Sequence, residues 1–292
     1  MSITSANRQD TTDARETIPS VGKGDLVIRD LGYFTLGCMQ QIMKESYAIT
    51  RLHAQTKVFE SRQDACEELD LGKIHEQMTR GSLEYMEKTV HMGAKSLLPV
   101  RLIMVLMPDE VYQKRMREVN KGNKKRGYRT SKAYATRARF NLFVTNITAD
   151  MLPGRAVTEL YRTRWQVELV FKIWKSTFGI DNTRSMKFER WLCLLYVKLI
   201  FVTINWQLFM SCRTLLYNKR GRMLSMDKCF KTFKDKIHAL RLAIRSGDMH
   251  RFLEGIEGLI SVKHWVEKKG EITGIDEKYN IIFCKSDIYE YI

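Results

Sequence analysis

Hydrophobic and polar positions alternate with two different periods along the first sixth of the chain. VGKGDLVIRD rises as a short apolar run ending at Asp30, which predicts a strand. In TLGCMQQIMKES, Leu36, Met39, Ile42 and Met43 recur at helical spacing, so residues 35–46 are expected to be a helix, and YAITRL then predicts a second strand. From about 57 to 139 strand-like runs such as LLPVRLIMVLMP alternate with Gly-bearing breaks, and LFVTNIT, Leu142 to Thr148, predicts a further strand. ELYRTRWQVELVFKIWKSTFGI is apolar nearly all round a helix, as expected of a buried one. Residues 1–20 read as a surface tail or weak helix, and 213–292 as a helical, basic C-terminal region.

One polar strip interrupts that apolar helix. Tyr161, Arg164, Glu168 and Lys175 follow the spacing Y-x2-R-x3-E-x6-K. At about 100° per residue their offsets place them at roughly 0°, 300°, 340° and 320°, on one narrow face. Trp165 and Trp174 point elsewhere and are expected in the core. Two readings of the strip stand side by side. Arg164 to Glu168 and Glu168 to Lys172 could be helix ion pairs, each worth about 0.3 to 0.5 kcal/mol. Alternatively Glu168 is an oxygen ligand for a metal set among phosphate donors, since carboxylates bind Mg²⁺ while Arg and Lys hold phosphates.

Charge narrows the partner. The 292 residues carry 49 Lys plus Arg against 33 Asp plus Glu, a formal net charge of +16, which favours a polyanion and above all nucleic acid. Between Lys114 and Arg139 eleven Lys or Arg face the single acid Glu118. Gly122, Asn123 and Gly127 are expected to break regular structure there, leaving a basic loop, with Lys124, Lys125 and Arg126 as candidate contacts to a DNA backbone. Tyr128, Tyr134 and Phe140 lie in or beside this run and could stack on an unpaired base, although strand packing serves each equally well. A second stretch, Arg213 to Arg245, has ten basic residues against Asp227 and Asp235 and reads as amphipathic helices with a basic outer face.

Other chemistry is excluded by pattern. The six cysteines include no C-x-x-C pair and the six histidines no H-x-x-x-H, so neither a zinc site nor a disulfide framework is indicated, and any metal should be oxygen-bound. The polar start MSITSANRQDTTDARE has no apolar signal segment, and a reducing, cytoplasmic protein is expected. Trp191 to Met210 approaches the roughly 20 apolar residues of a membrane span, but Lys198, Asn205 and Gln207 interrupt it. A buried helix beside the Glu168 helix accommodates them better than lipid would.

The string Tyr161, Arg164, Glu168, Lys175 resembles the signature of DDE transposases of the insertion-sequence-four family. GDLVIRDLGYF, Gly24 to Phe34, is similar to that family's second-Asp motif, and LFVTNIT to the strand leading into its Glu helix. The resemblance covers most of residues 21–210. It implies an α/β fold: a ribonuclease-H-like core in two parts, residues 21–56 and 140–212, interrupted by a mainly β, basic insertion at 57–139. The separation of 138 residues between Asp30 and Glu168 accords with such an insertion. By resemblance Asp30 and Glu168 are catalytic ligands of Mg²⁺ or Mn²⁺ in a two-ion site, and Tyr161, Arg164 and Lys175 contact DNA phosphates. The activity implied is metal-dependent DNA cleavage and strand transfer of an insertion sequence, by a homodimer on DNA, nucleoid-associated and without membrane.

Two departures qualify the expectation. The family often has a Trp beside the strand matching LFVTN, where this chain has Phe140 and Asn141. Its first catalytic Asp lies on an early strand, whereas Asp10 and Asp13 sit here in polar sequence without a strand pattern. The resemblance thus implies N-terminal truncation, with the early strands of the sheet missing and a chain that is inactive or partly active. The alternative is a non-catalytic DNA-binding fragment that regulates or inhibits a full-length transposase.

Overall fold

A computed structural model describes residues 8–62 and 65–265. The chain divides into two compact units, Met1–Arg164 and Trp165–Ile292. In the first, a helix α1 (Asp10–Glu16) and a 3-10 turn precede β1 (Leu26–Ile28); a second 3-10 turn, Leu31–Tyr33, leads to α2 (Leu36–Ile42) and β2 (Tyr47–Arg51). There follow β3 (Val58–Arg62), β4 (Ala65–Glu68), α3 (Leu71–Arg80), β5 (Tyr85–Met92), β6 (Leu98–Leu106), α4 (Asp109–Lys125), α5 (Lys132–Arg137), β7 (Phe140–Thr145) and α6 (Gly154–Thr163). The architecture is mixed α/β.

The strands form one seven-stranded sheet in the order β1-β2-β7-β6-β5-β3-β4. β1 and β2 are parallel and every other neighbouring pair is antiparallel. Alternation of side chains explains how β7 comes to lie inside it. Leu142 and Val144 pack with Leu102, Met104, Met39, Ile42, Ile74 and Met78 on one face, the side covered by α2 and α3. Phe143 turns to the other face with Ile49 and Ile103, where Val157 and Tyr161 of α6 pack on it. Residues 57–139, expected as an insertion, supply β3 to β6, and these continue the sheet that β1, β2 and β7 share.

The basic run is more regular than its glycines suggested. α4 passes through Gly122 and Asn123 and ends only at Arg126, correcting the expectation of a loop. A helical Gly costs about 1 kcal/mol relative to Ala, and local order offsets it. Asp109 and Glu110 in the first turn and Lys124 and Lys125 in the last match the helix dipole. Asn123 donates to Thr130 Oγ1 at 3.0 Å, and Thr130 donates to Asn120 Oδ1 at 2.6 Å, folding the following segment back. Reversal itself falls at Gly127, whose φ of 72° suits a residue without a side chain.

The second unit is helical: α7 (Trp165–Ser176), α8 (Phe188–Arg220), α9 (Met226–Asp235), α10 (Ile237–Ser246) and α11 (Met249–Lys263). Phe209, Leu216, Phe230, Phe233 and Ile260 form its core. The expectation of a helix buried all round fails for α7, where Ile173 is buried but Trp165, Val167 and Phe171 are exposed. An apolar composition does not itself supply a packing partner. The same holds for the first half of α8, which exposes Tyr196, Val197 and Ile200, while Val202, Asn205, Phe209, Cys212, Arg213 and Leu216 are buried. By length and composition α8 could cross a membrane; 17% of its most apolar window is buried. Two of its polar residues bond within the protein, while Gln207 is exposed. Lys198 Nζ donates to the carbonyls of Gly179 and Asn182, each at 2.7 Å, and Asn205 Nδ2 donates to Phe201 O at 2.7 Å.

One arginine in β6 fixes where α6 starts. The Arg101 side chain is 10% exposed; its Nε donates to Glu87 Oε2 at 2.6 Å, and Nη1 donates to Ile147 O at 3.3 Å and Leu152 O at 2.7 Å. Those carbonyls belong to the loop joining β7 to α6. Arg101→Met is expected to lower stability by about 2 to 4 kcal/mol, since it strands two carbonyls and a carboxylate. Glu87→Gln keeps the carbonyl contacts and should cost about 1 kcal/mol. Urea unfolding of both variants checks this, and equal losses would show that the loop carbonyls contribute nothing.

Candidate active site

Asp30 sits where β1 ends. Arg29 N still donates to Ile49 O at 3.4 Å, extending the parallel ladder by one residue, and Asp30 then takes the N-cap position of the turn Leu31–Tyr33. Its side chain accepts no capping hydrogen bond. An aspartate there would ordinarily serve as a turn former; here the carboxylate is half exposed and lies 3.7 Å from Arg164 Nε. Arg29 turns away, donating to Ala14 O and Thr17 Oγ1, each at 2.9 Å, and ties α1 to the sheet.

α6 brings Tyr161 and Arg164 to this place. Val157 and Tyr161, one turn apart, are buried against Phe143, and the Tyr161 and Phe143 rings are 5.2 Å apart. The Arg164 guanidinium carbon is 5.9 Å from the Tyr161 ring centre. Burial pushes the Tyr161 phenol above its ordinary pKa and Asp30 adds to that, while Arg164 opposes it. A half-exposed pair such as Asp30 and Arg164 is worth about 0 to 1 kcal/mol.

The motif is not carried by one continuous helix. Arg164 N donates to Tyr161 O at 3.2 Å, a three-residue step that interrupts the four-residue ladder, and α7 begins at Trp165. Tyr161 and Arg164 thus belong to the first unit and Glu168 and Lys175 to the second. On α7, Glu168, Lys172 and Lys175 line one open groove with Phe171 and Ser176. Trp165, expected in the core, is 51% exposed.

Other candidates separate. Lys124, Lys125 and Arg126 are exposed at the end of α4. Phe140 is 3% exposed in the sheet core and cannot stack on a base, whereas Tyr128 and Tyr134 remain at the surface. Sequence reasoning passed over Arg101 and also Asn146, which accepts from Ala48 N at 2.9 Å and donates to Ser46 O at 2.8 Å, joining the start of β2 to the end of β7. Neither has a sequence signal beyond a polar residue inside an apolar run.

Asp30 and Glu168 offer the hard oxygen donors that Mg²⁺ or Mn²⁺ prefers. Yet among the described residues no three His, Cys, Asp or Glu side chains come together as a metal-holding group. Within the Asp30 group, Tyr161 Oη is buried and makes no hydrogen bond of ordinary geometry among the described residues, with Arg164 as its nearby donor. Tyr161→Phe is accordingly expected to leave stability within about 1 kcal/mol of the parent or to raise it. Thermal or urea unfolding measures this; a loss above about 2 kcal/mol would mean that the hydroxyl is partnered in solution.

A family model described as transposase DDE domain matches residues 1–204. The chain is 30% identical over 297 residues to the transposase for insertion sequence element IS231F of Bacillus thuringiensis subsp. israelensis, covering 97% of this chain and 61% of that protein. It is 27% identical to the IS231E transposase of Bacillus thuringiensis subsp. finitimus, with the same coverages, and 26% identical to that of IS1151 of Clostridium perfringens over 77% of this chain and 50% of the relative. The chain thus spans about three fifths of the length of the first two. No solved structure matches it significantly. With the family model spanning well over half of its residues, the chain belongs to the DDE transposase domain family, in its insertion-sequence-four-like branch.

Proposed function

We propose that this chain works in the transposition of an insertion sequence, as part of a DDE-type DNA cleavage and strand-transfer machine. The observation that carries the reading is the Asp30, Arg164 and Tyr161 group at the end of β1, in a chain matched by the transposase DDE domain over residues 1–204. The parallel pair β1 and β2, with an acid leaving the strand end, is what a ribonuclease-H-like core would supply. In this reading Asp30 and Glu168 are two carboxylates of a Mg²⁺ or Mn²⁺ site that needs at least one more. Tyr161, Arg164 and Lys175 hold phosphates near the scissile end, and the exposed Lys124, Lys125 and Arg126 follow the backbone further away. A homodimer on paired ends, associated with the nucleoid, is the working assembly.

A second reading has its own support. Within the first unit Asp30 lies with Arg164 and Tyr161, cationic and phenolic company that suits holding a DNA phosphate, and this supports a DNA-binding regulator that occupies ends without cutting them. Both readings require DNA binding dominated by phosphate contacts. Raising salt from 50 to 200 mM is expected to weaken duplex binding roughly a thousandfold, as for about six neutralised phosphates. Replacing Lys124, Lys125 and Arg126 with Ala should reduce the log–log salt slope by about 2 to 3. Fluorescence anisotropy across a salt series tests both values, and an unchanged slope would remove these three residues from the interface.

Cleavage separates the readings. DNA carrying the element's own ends is incubated with Mg²⁺ or Mn²⁺ and either the parent chain or its Asp30→Asn and Glu168→Gln variants. Cutting by the parent that both variants lose assigns catalysis to this chain and excludes the regulator reading. Binding without cutting, together with inhibition of a cleaving relative, assigns the regulatory role.

A further inference from the structure

We propose that Arg51, Arg115 and Arg137 form a preorganised site for a phosphate group, distinct from the Tyr161 and Arg164 pair. The three come from separate elements: Arg51 ends β2, Arg115 lies in α4 and Arg137 ends α5. Together with Leu31, Tyr134 and Phe140 they line a cavity of about 340 Å³. That volume is at the low end for a ligand pocket and suits a small anion or a single backbone phosphate.

Their hydrogen bonds aim them without neutralising them. Arg51 Nη2 and Arg115 Nη2 both donate to one acceptor, Asn141 Oδ1, at 3.4 and 3.3 Å. Arg115 Nη1 donates to Ala138 O at 3.2 Å, and Arg137 Nη2 donates to Leu52 O at 2.7 Å. Each contact therefore runs to the neighbourhood of another member of the set, so the corner between β2, α4, α5 and β7 is cross-linked by cations. None of the three is ion-paired with a carboxylate among the described residues. Burial, and then the charge of Arg51, pull the other two guanidinium pKa values below their ordinary range.

A purely structural corner has little use for this arrangement. Three half-buried like charges repel, and neutral oxygens offset only part of the desolvation. A phosphate offsets the remainder, and the planar arginine fork suits its oxygens. Leu31 in the wall is the chain neighbour of Asp30, which connects the cavity to the turn that follows β1. Identifying that phosphate as part of a DNA backbone rests on the proposed function; the anion site itself does not.

The test titrates inorganic phosphate against the parent chain, Arg51→Gln, Arg115→Gln and, as a control at an exposed lysine outside every proposed contact, Lys95→Ala, with chloride keeping ionic strength constant, and follows the unfolding temperature. The parent and Lys95→Ala should show a saturable, phosphate-dependent rise. Arg51→Gln and Arg115→Gln should need at least about tenfold more phosphate for the same rise, while their unfolding temperature without phosphate is unchanged or higher, because a repelling charge has gone. Variants that unfold earlier yet respond to phosphate like the parent would overturn the site and leave the arginines structural. Absence of any phosphate response in the parent would also overturn it. Competition with short duplex DNA then identifies the source. Displacement of phosphate by DNA supports a backbone phosphate; saturable phosphate binding that DNA leaves untouched retains the anion site and overturns its assignment to DNA. A parent chain that binds phosphate but no DNA at any salt concentration counts instead against the proposed function.

Discussion

The first unit depends on a strand that arrives late. β7 pairs with β2 on one side and β6 on the other, and Thr145 is the register partner of both Ile49 and Arg101. Nearly 90 residues separate β2 from β7, so a large loop must close before these hydrogen bonds can form. Loop-closure entropy grows only with the logarithm of length, and the return is burial on both faces of one six-residue strand. Without β7 the parallel pair bearing Asp30 would share no strand with the antiparallel remainder of the sheet.

Much of this was legible in the sequence. The runs ending at Asp30, YAITRL, LLPVRLIMVLMP and LFVTNIT became β1, β2, β6 and β7, because short apolar segments bounded by turn residues carry a strong local signal. Helical spacing of Met39 and Ile42 likewise gave α2. Long-range pairing was less accessible, since nothing local to residues 57–139 says that their strands join the sheet of β1 and β2. Gly122 and Asn123 misled for a different reason: propensity is a weak local term, and the dipole match and the Asn123 and Thr130 contacts outweigh it.

The polar motif shows where periodicity stops being informative. Offsets of 3, 7 and 14 place four side chains on one face only if the ladder is unbroken, and a single three-residue step at Arg164 breaks it. Trp165, Val167 and Phe171 were assigned to a core from composition alone, and their exposure shows that apolar character specifies a wish for burial without identifying a partner. Tyr161 and Arg164 lie near each other, and the aromatic contact to Phe143 that fixes the Tyr161 ring has no counterpart in the spacing.

Two arginines in the first unit show how one helix can join distant parts of a sheet. The Arg101 side chain is 10% exposed and satisfies a carboxylate and two carbonyls at once, so moving it would expose several groups to loss together. Arg164 is more accessible and lies 3.7 Å from Asp30, beyond ordinary hydrogen-bond length. Arg101 anchors the loop entering α6, and Arg164 caps the far end of that helix, ten residues on. The order imposed by the clamp is thereby carried along α6 to the end of β1, so the placing of Tyr161 and Arg164 beside Asp30 depends on a residue in β6 whose own hydrogen bonds run to Glu87, Ile147 and Leu152.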